Sequence, residues 1–498
     1  MTVQESARAQ PAPEPTQPTP AATPAEREQA RAATRRARQV LALGSLGAFM
    51  VFLDTTIVNI AFETISHSFH TTAGHLAWVL NVYSLVFAAM LIPAGRIADR
   101  YGRKRIFMIG LAGFAGMSAL CGLAPDTGVL IAGRGLQAVF SAFVVPTSLA
   151  LVLPEFPANR RHVAVGTWGA MGAAAAAVGP TLGALLTEYA SWRWIFLVNV
   201  PIAALIIGFG SRLLRESREP KAQGIPDPFG ALLIAAVPAL LSLAVIEGPS
   251  WGWSDPRVIA AFAGSAALFP VFLWRSSTAA RPVMDLALFQ DRQFRLTNAA
   301  TLLFASAFYG MLLSNVIFLQ TVWHYSVLTA ALASVPGPLV VTAIARSTSR
   351  IAATVGHRPV LLAGGISWAL GSVGFAVLTT GSAQWATHWL PCTLLIGLGI
   401  GLTLPVQSGA AVATLPPARY ALGSAINASF RQLGAVIGIS LFVAVLGTPS
   451  AGRALDAFHH VWWVFAAVGL AGAAVLYLPR LGRRPVSQIP APAATFER

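Results

Sequence analysis

Charge is what this chain has least of. Asp, Glu, Lys and Arg together make up 11% of its 498 residues, against roughly 25% in soluble globular domains. A water-soluble enzyme of this length needs far more charged surface, so that class is excluded. Cysteine is scarce too: Cys121 and Cys392 sit in separate apolar runs, which offers no disulfide framework and no metal-ligand cluster, and both read as helix-packing residues. No Gly-x-x-x-x-Gly-Lys-Ser/Thr loop is present, which removes ATP as a driving force. Neither a Ser/His/Asp grouping nor a pair of intramembrane carboxylates argues for a membrane enzyme. His67, His70, His75 and His324 fall at or beyond span ends without metal spacing.

Apolar residues are abundant, at 55%. A bilayer core takes about 20 of them per helix. On that measure fourteen spans are expected, near 40–62, 77–94, 106–124, 128–151, 163–187, 193–213, 229–249, 257–275, 294–319, 328–346, 359–379, 388–413, 420–446 and 459–478. The tenth is interrupted by Pro336 and Pro338, which membrane helices tolerate. Ahead of the first span, residues 1–38 form a Pro-rich and then Arg-rich tail whose composition predicts disorder. The remaining divisions are a six-helix half over 39–214, a linker with two extra helices over 215–280, a second six-helix half over 281–480 and a tail over 481–498.

The net charge of +15 is spread between the apolar runs, with no basic domain that would grip nucleic acid. With the N-terminus inside, 29 of the 34 Lys and Arg residues fall in the tails, the inward connections and the span ends beside them. Only Arg193, Arg257 and Arg453 lie outward, while Arg134 and Arg431 lie within spans. Basic enrichment of cytoplasmic loops therefore implies an even number of spans and two cytoplasmic termini.

Residues 95–105 read Gly-Arg-Ile-Ala-Asp-Arg-Tyr-Gly-Arg-Lys-Arg. Gly95 and Gly102 suit a tight turn and close helix approach, and Asp99, Arg100 and Arg103 offer partners for helix ends and neighbouring charges. This stretch resembles the signature loop of the major facilitator superfamily. Leu53-Asp-Thr-Thr-Ile-Val-Asn-Ile-Ala61 is similar to the first-span motif of the fourteen-span drug:proton antiporters of the EmrB/QacA type. Gly133-Arg-Gly-Leu-Gln137 resembles the fourth-span motif, and Gly179-Pro-Thr-Leu-Gly183, preceded by Gly166, Gly169 and Gly172, resembles the fifth-span antiporter motif. Ser191-Trp-Arg-Trp-Ile-Phe196 and Asn199-Val-Pro201 are similar to the start of the family's sixth span. The second-half counterpart of the signature loop, around Arg346, Arg350 and Gly356-His-Arg-Pro359, lacks an acid matching Asp99. The resemblance implies an all-α polytopic protein with the major facilitator fold, two six-helix halves plus two inserted helices.

An ionisable group at the centre of a membrane helix costs on the order of 3 kcal/mol or more. Asp54 lies roughly 12 Å and Arg134 roughly 9 Å from the outer ends of their spans at about 1.5 Å per residue, so the two can meet. A guanidinium beside a carboxylate favours its ionised form, and a cationic substrate or a conformational change would toggle its proton. A permanent ion pair that only fixes helix packing is the alternative. Gly166, Gly179, Pro180 and Gly183 suit a bent, closely packed fifth span that blocks proton leak. Pocket candidates are Trp78, Asn81 and Tyr83, then Phe308, Tyr309, Asn315 and Gln320, and finally Gln407, Asn427 and Arg431.

These features imply a proton-coupled antiporter that exports drugs or hydrophobic natural products, cationic ones among them, across the cytoplasmic membrane by alternating access. No cofactor is expected. The expected partners are a small-molecule substrate, protons and membrane lipid, with no nucleic acid, and a monomer is expected. A proton-coupled uptake symporter and a non-transporting receptor or scaffold are the alternatives. The charge partition makes a direct prediction: in intact cells an impermeant thiol reagent labels Asp255→Cys and spares Arg103→Cys until the membrane is opened. Labelling of Arg103→Cys from outside would overturn the topology.

Overall fold

The computed structural model describes residues 23–157, 161–218, 227–416, 419–447 and 451–477. The expected tails over 1–22 and 481–498 lie outside these residues. The described chain is helical, without strands, in the order α1 (Pro24–Ile60), α2 (Phe62–Phe69), α3 (Ala73–Tyr101), α4 (Arg103–Gly122), α5 (Thr127–Val152) and α6 (Arg161–Tyr189). There follow α7 (Trp194–Leu197), α8 (Asn199–Leu213), α9 (Pro228–Trp251), α10 (Pro256–Thr278), α11 (Arg292–Thr321) and α12 (Val327–Ser334). The chain ends in α13 (Pro336–Val355), α14 (His357–Leu378), α15 (Leu390–Val412), α16 (Tyr420–Leu446) and α17 (Ala454–Ala474). Thirteen helical stretches among the described residues are long and apolar enough to cross a membrane. The 29-residue α6, at the place of the expected fifth span, is not one of the thirteen.

Short polar side chains start these helices by accepting backbone N–H groups that have no partner within the helix. Thr72 caps α3, Asp126 caps α5, Asp291 caps α11 and Ser326 caps α12. Asp227 caps α9 and also accepts two hydrogen bonds from Arg275 of α10, at 2.5 and 3.0 Å, which ties the inserted pair together and holds the Asp227 carboxyl below its ordinary range. In that pair, α9 lies against α3 and α16 while α10 packs on α9. Phe262, Phe269 and Trp274 of α10 are left exposed, as a lipid-facing helix requires.

Two turns with the same backbone punctuate the halves. Gly102 ends α3 and begins α4 at φ +113°, and Gly356 ends α13 and begins α14 at φ +90°. Both values lie in the region that favours glycine. The acid-free counterpart of the signature loop thus keeps its backbone.

Several expectations change. Helix α1 begins at Pro24, so residues 24–38 of the expected disordered tail are helical. Arg36 anchors that extension through two bonds to Glu155 and one to the Leu213 carbonyl. The tenth span is two helices, α12 and α13, meeting at Val335 with Pro336 as the first residue of α13, where its missing N–H costs nothing. Gly95 is neither a turn nor a close-approach residue: it lies inside α3, and a Cβ there would meet nothing within 4 Å. The surroundings of Gly166, in α6, fall outside the described side chains.

Helix α6 packs along α1, and here glycine is required. A Cβ on Gly179 would strike Thr56, and one on Gly183 would approach Ile60 and Ile57 at 2.6 and 2.7 Å. Pro180 lies inside the same helix. Gly169, by contrast, faces open space. Gly179→Leu is therefore expected to cost about 1–3 kcal/mol by overpacking and to lower the thermal midpoint of the purified protein, whereas Gly169→Leu leaves it unchanged. Equal midpoints for the two variants would remove the packing argument.

Candidate functional site

Asp54 of α1 is completely buried, and four helices converge on it. Arg134 of α5 donates from Nη1 to Asp54 Oδ2 at 2.5 Å and to Gln137 Oε1 at 2.7 Å. Gln137, three residues on and hence on the same face of α5, donates from Nε2 to Asp54 Oδ1 at 3.1 Å. Asn199, the first residue of α8, donates from Nδ2 to the same oxygen at 3.0 Å. Ser118 of α4 accepts from both amides, at 2.6 and 3.2 Å. The carboxylate therefore accepts from three side chains, which is how a charge survives away from water.

Arg134 is held on its other sides as well. Its Nε donates to the Val79 carbonyl of α3, and its guanidinium lies 4.0 Å from the centre of the Tyr83 ring. Tyr83 in turn donates to Ser141 Oγ at 2.8 Å, and Ser141 donates to the Gln137 carbonyl. Arg134 is thus fixed by a carboxylate, an amide, a backbone carbonyl and an aromatic face, with 1% of its surface exposed.

A small gap of about 10 Å³, room for roughly one water molecule, adjoins this network between the halves. Arg134, Tyr83 and Thr55 line it from the first half and Tyr309 and Ile439 from the second, whereas Asp54 does not reach its wall. The arginine stands between the acid and the gap. A gap of this size is far below the roughly 300–1,000 Å³ of ligand pockets, so any substrate needs the halves to part.

Polar bonds join the halves towards the face opposite the Gly102 turn, and nearer that turn Ala89 and Ile92 of α3 share an apolar cluster with α9 and with Phe294, Leu415 and Ile426. Gln320 donates to the Ile60 carbonyl at 3.3 Å, and the Leu328 amide donates to Glu188 at 3.0 Å, where α1, α6 and α11 end and α12 begins. Deeper, Asn81 donates to Ser440 at 3.1 Å and Ser429 donates to the Ala88 carbonyl at 3.0 Å.

Of the pocket candidates, the structure brings Tyr83 and Tyr309 to the wall of this gap. It gives the others different surroundings. Asn315 accepts from Trp462 Nε1, and Asn427 donates to Asn298 and Thr301, so both belong to helix packing within the second half. Gln320 and Asn81 bridge the halves, Trp78 packs on the apolar core, and Phe308 packs edge-on against Tyr309. Gln407 is buried with no partner for Oε1, and Arg431, half-buried on α16, is off the wall.

In the signature loop, Asp99 accepts from Arg103 Nε and Nη2 at 2.9 and 2.8 Å, a bond within its own loop, and Arg100 lies over the Tyr101 ring. Ties to α8 and the chain just beyond it come from Lys104 Nζ, which donates to the Ser211 carbonyl at 2.7 Å, and from Glu216, whose carboxylate accepts the Lys104 and Arg105 amides at 3.0 and 3.1 Å. Sequence reasoning missed Glu216, and it assigned no role to Gln137, Asn199 or Ser118. The i+3 spacing from Arg134 was a usable signal for Gln137, and an amide just before Pro201 in an apolar run was one for Asn199. A serine among apolar residues offers no such mark.

The sequence matches the Major Facilitator Superfamily over residues 44–439. The chain belongs to this superfamily. Its members are transporters rather than enzymes, in keeping with a multi-pass helical membrane protein. The chain is 35% identical over 402 residues to the Multidrug resistance protein Stp of Mycobacterium tuberculosis, covering 80% of this chain and 74% of that one. It is 29% identical to the Tetracenomycin C resistance and export protein of Streptomyces glaucescens, with 89% and 80% covered. Similarity extends to the Multidrug efflux pump LfrA of Mycolicibacterium smegmatis, at 30% identity with 83% and 81% covered. In fold it resembles an auto-inhibited POT family peptide transporter, with a TM-score of 0.63 at 17% identity over 88% of this chain and 96% of that one. It also resembles a bacterial homologue of the human lysosomal transporter Spinster in an inward-facing, unoccupied conformation, with a TM-score of 0.58 at 16% identity over 89% and 95%.

The Asn199 bond to Asp54 is testable as a coupling energy. In a double-mutant cycle of Asn199→Ala with Asp54→Asn, thermal or denaturant unfolding should give an interaction of about 0.5–3 kcal/mol. Strict additivity would place Asn199 outside the network.

Proposed function

We propose that this transporter is a drug:proton antiporter of fourteen spans, with α6 as the fourteenth and both termini cytoplasmic, exporting hydrophobic small molecules by alternating access. The observation that carries the reading is the Asp54–Arg134 pair, buried one layer behind the wall of the small gap between the halves. A proton placed on Asp54 cancels the charge that holds Arg134, and the guanidinium loses its strongest partner. Arg134 lines the gap, touches α3 through Val79 and Tyr83, and so transmits that loss both to the wall and to the helix that contacts α16. The contact between the halves thereby becomes a function of one proton.

The Gln320–Ile60 and Leu328–Glu188 bonds at the face opposite the Gly102 turn correspond, under this topology, to a transporter closed on the outside. The tight α1–α6 seam at Gly179 and Gly183 supports the same reading, because export against a gradient tolerates no water path beside the acid. Resistance and efflux proteins among the relatives support drug-like cargo.

Asp54→Asn keeps the size of the side chain and removes its titration. In proteoliposomes with an imposed proton gradient this variant is expected to lose gradient-driven substrate accumulation while retaining substrate binding. Accumulation at the wild-type level would reduce Asp54 to a packing partner of Arg134.

A further inference from the structure

We infer that the N-terminal part of α1 is a binding surface for the phosphate headgroup of an anionic phospholipid. The inference uses the proposed topology only to name the leaflet, the cytoplasmic one, and it is independent of cargo and of proton coupling. Its basis is a charged face that α1 turns away from the bundle. At about 100° per residue, Arg31, Arg35, Arg38 and Ala42 fall within about 60° of one another. Ala37, Val40 and Leu43 are buried on the opposite face, where Arg36 reaches Glu155 and the Leu213 carbonyl.

The three arginines are exposed and line one open surface with Gln39 and Ala42. None of the three has an ion pair, hydrogen bond or ring contact among the described residues, and Glu28, exposed one turn earlier, makes no ion pair with them. Like charges one turn apart on a helix repel until a counter-charge sits between them. A guanidinium forks onto two phosphate oxygens, which makes a phosphodiester the fitting counter-charge.

Position along the helix points to a lipid as its source. The 37 residues of α1 run about 55 Å at about 1.5 Å each, beyond the roughly 40–45 Å of a bilayer with its headgroup layers. Arg38, Arg35 and Arg31 stand about 3, 8 and 14 Å before residue 40, where the first span is expected to begin, and so cross the phosphate layer. The Arg36 bonds hold this stretch as a continuation of the span, in fixed register with it. Ala42 carries the same exposed face into the hydrocarbon, where its small side chain leaves room for acyl chains beneath the bound phosphate. A soluble anion would have no use for that apolar continuation.

The test uses the full chain purified in a non-ionic detergent, with binding of the first lipid read by native mass spectrometry. The probes are dioleoylphosphatidylglycerol and dioleoylphosphatidylcholine, which share acyl chains and differ in net charge. The anionic lipid is expected to bind about a hundredfold more tightly, about fivefold for each arginine. Replacing Arg31, Arg35 and Arg38 together by Gln should abolish the preference, and replacing them by Lys should retain most of it. Arg281→Gln, Arg350→Gln and Arg358→Gln together remove the same net charge elsewhere and should leave the preference within twofold. Arg35→Gln alone, expected to weaken it about fivefold, decides the matter should the triple Gln variant fail to insert. Equal binding of the two lipids by the wild-type chain overturns the inference, as does a preference that survives in the Gln variants or falls equally in the control. A preference that emerges only after deletion of residues 2–22 overturns it too, since that segment would then be the occupant of the face.

Discussion

A single carboxylate in the interior of the first half sets the terms for the elements around it. Stripped of water, Asp54 needs a donor for every available lone pair, and α5 and α8 supply them while α4 orients the amides. Each of those donors then needs partners of its own, which draws in α3 through Val79, Tyr83 and Ser141. The result is a half whose helices are tied by directional bonds as well as by apolar packing. In lipid, where apolar surface gives helices little reason to choose one neighbour over another, such bonds fix which helices meet.

The second half is held differently. Its centre is a stack of rings in which Phe318 lies parallel to Trp389 at 5.5 Å and edge-on to Trp462 and Phe458. Buried amides appear there in neutral bonds, as between Asn427 and Asn298 and between Trp462 and Asn315. Among the described residues, one half therefore carries a buried ion pair in its core, and the other is built on rings and neutral amides. The two bodies meet along the shared surface of α3 and α16.

Much of this was legible in the sequence because a membrane helix is a long, simple signal. Spans, their order and the two ionisable residues that face each other follow from length and from the cost of buried charge. Asp54 stood out as the one acid well inside an expected span, and Arg134 as one of two bases there, the other being Arg431. The partners that complete the network did not, since Ser118 and Asn199 are small polar residues of a sort that often serves packing alone. The roles of Asn315 and Asn427 were misread for the same reason: a polar side chain in a span reads alike whether it faces a cavity or a neighbouring helix, and only the rotation of the helix decides. Gly95 was misread because glycine in a loop motif and glycine inside a helix are spelled the same way. Glu216 escaped notice because its partners, the amides of residues 104 and 105, lie 112 and 111 positions away and are backbone groups that every sequence contains.

The two glycine turns, alike in backbone, differ in what surrounds them. At Gly102 the space a side chain would fill already holds the Glu216 carboxylate, 2.6–2.8 Å from where a Cβ would stand, whereas at Gly356 that space is empty. Replacing Gly356 therefore strains the chain locally and nothing more. Replacing Gly102 strains it and also evicts the acid that fastens the end of the first half to its own signature loop. The same punctuation mark is a simple bend in one half and the seat of a latch in the other, so the twofold likeness of the halves stops at their shape and does not extend to their mechanics.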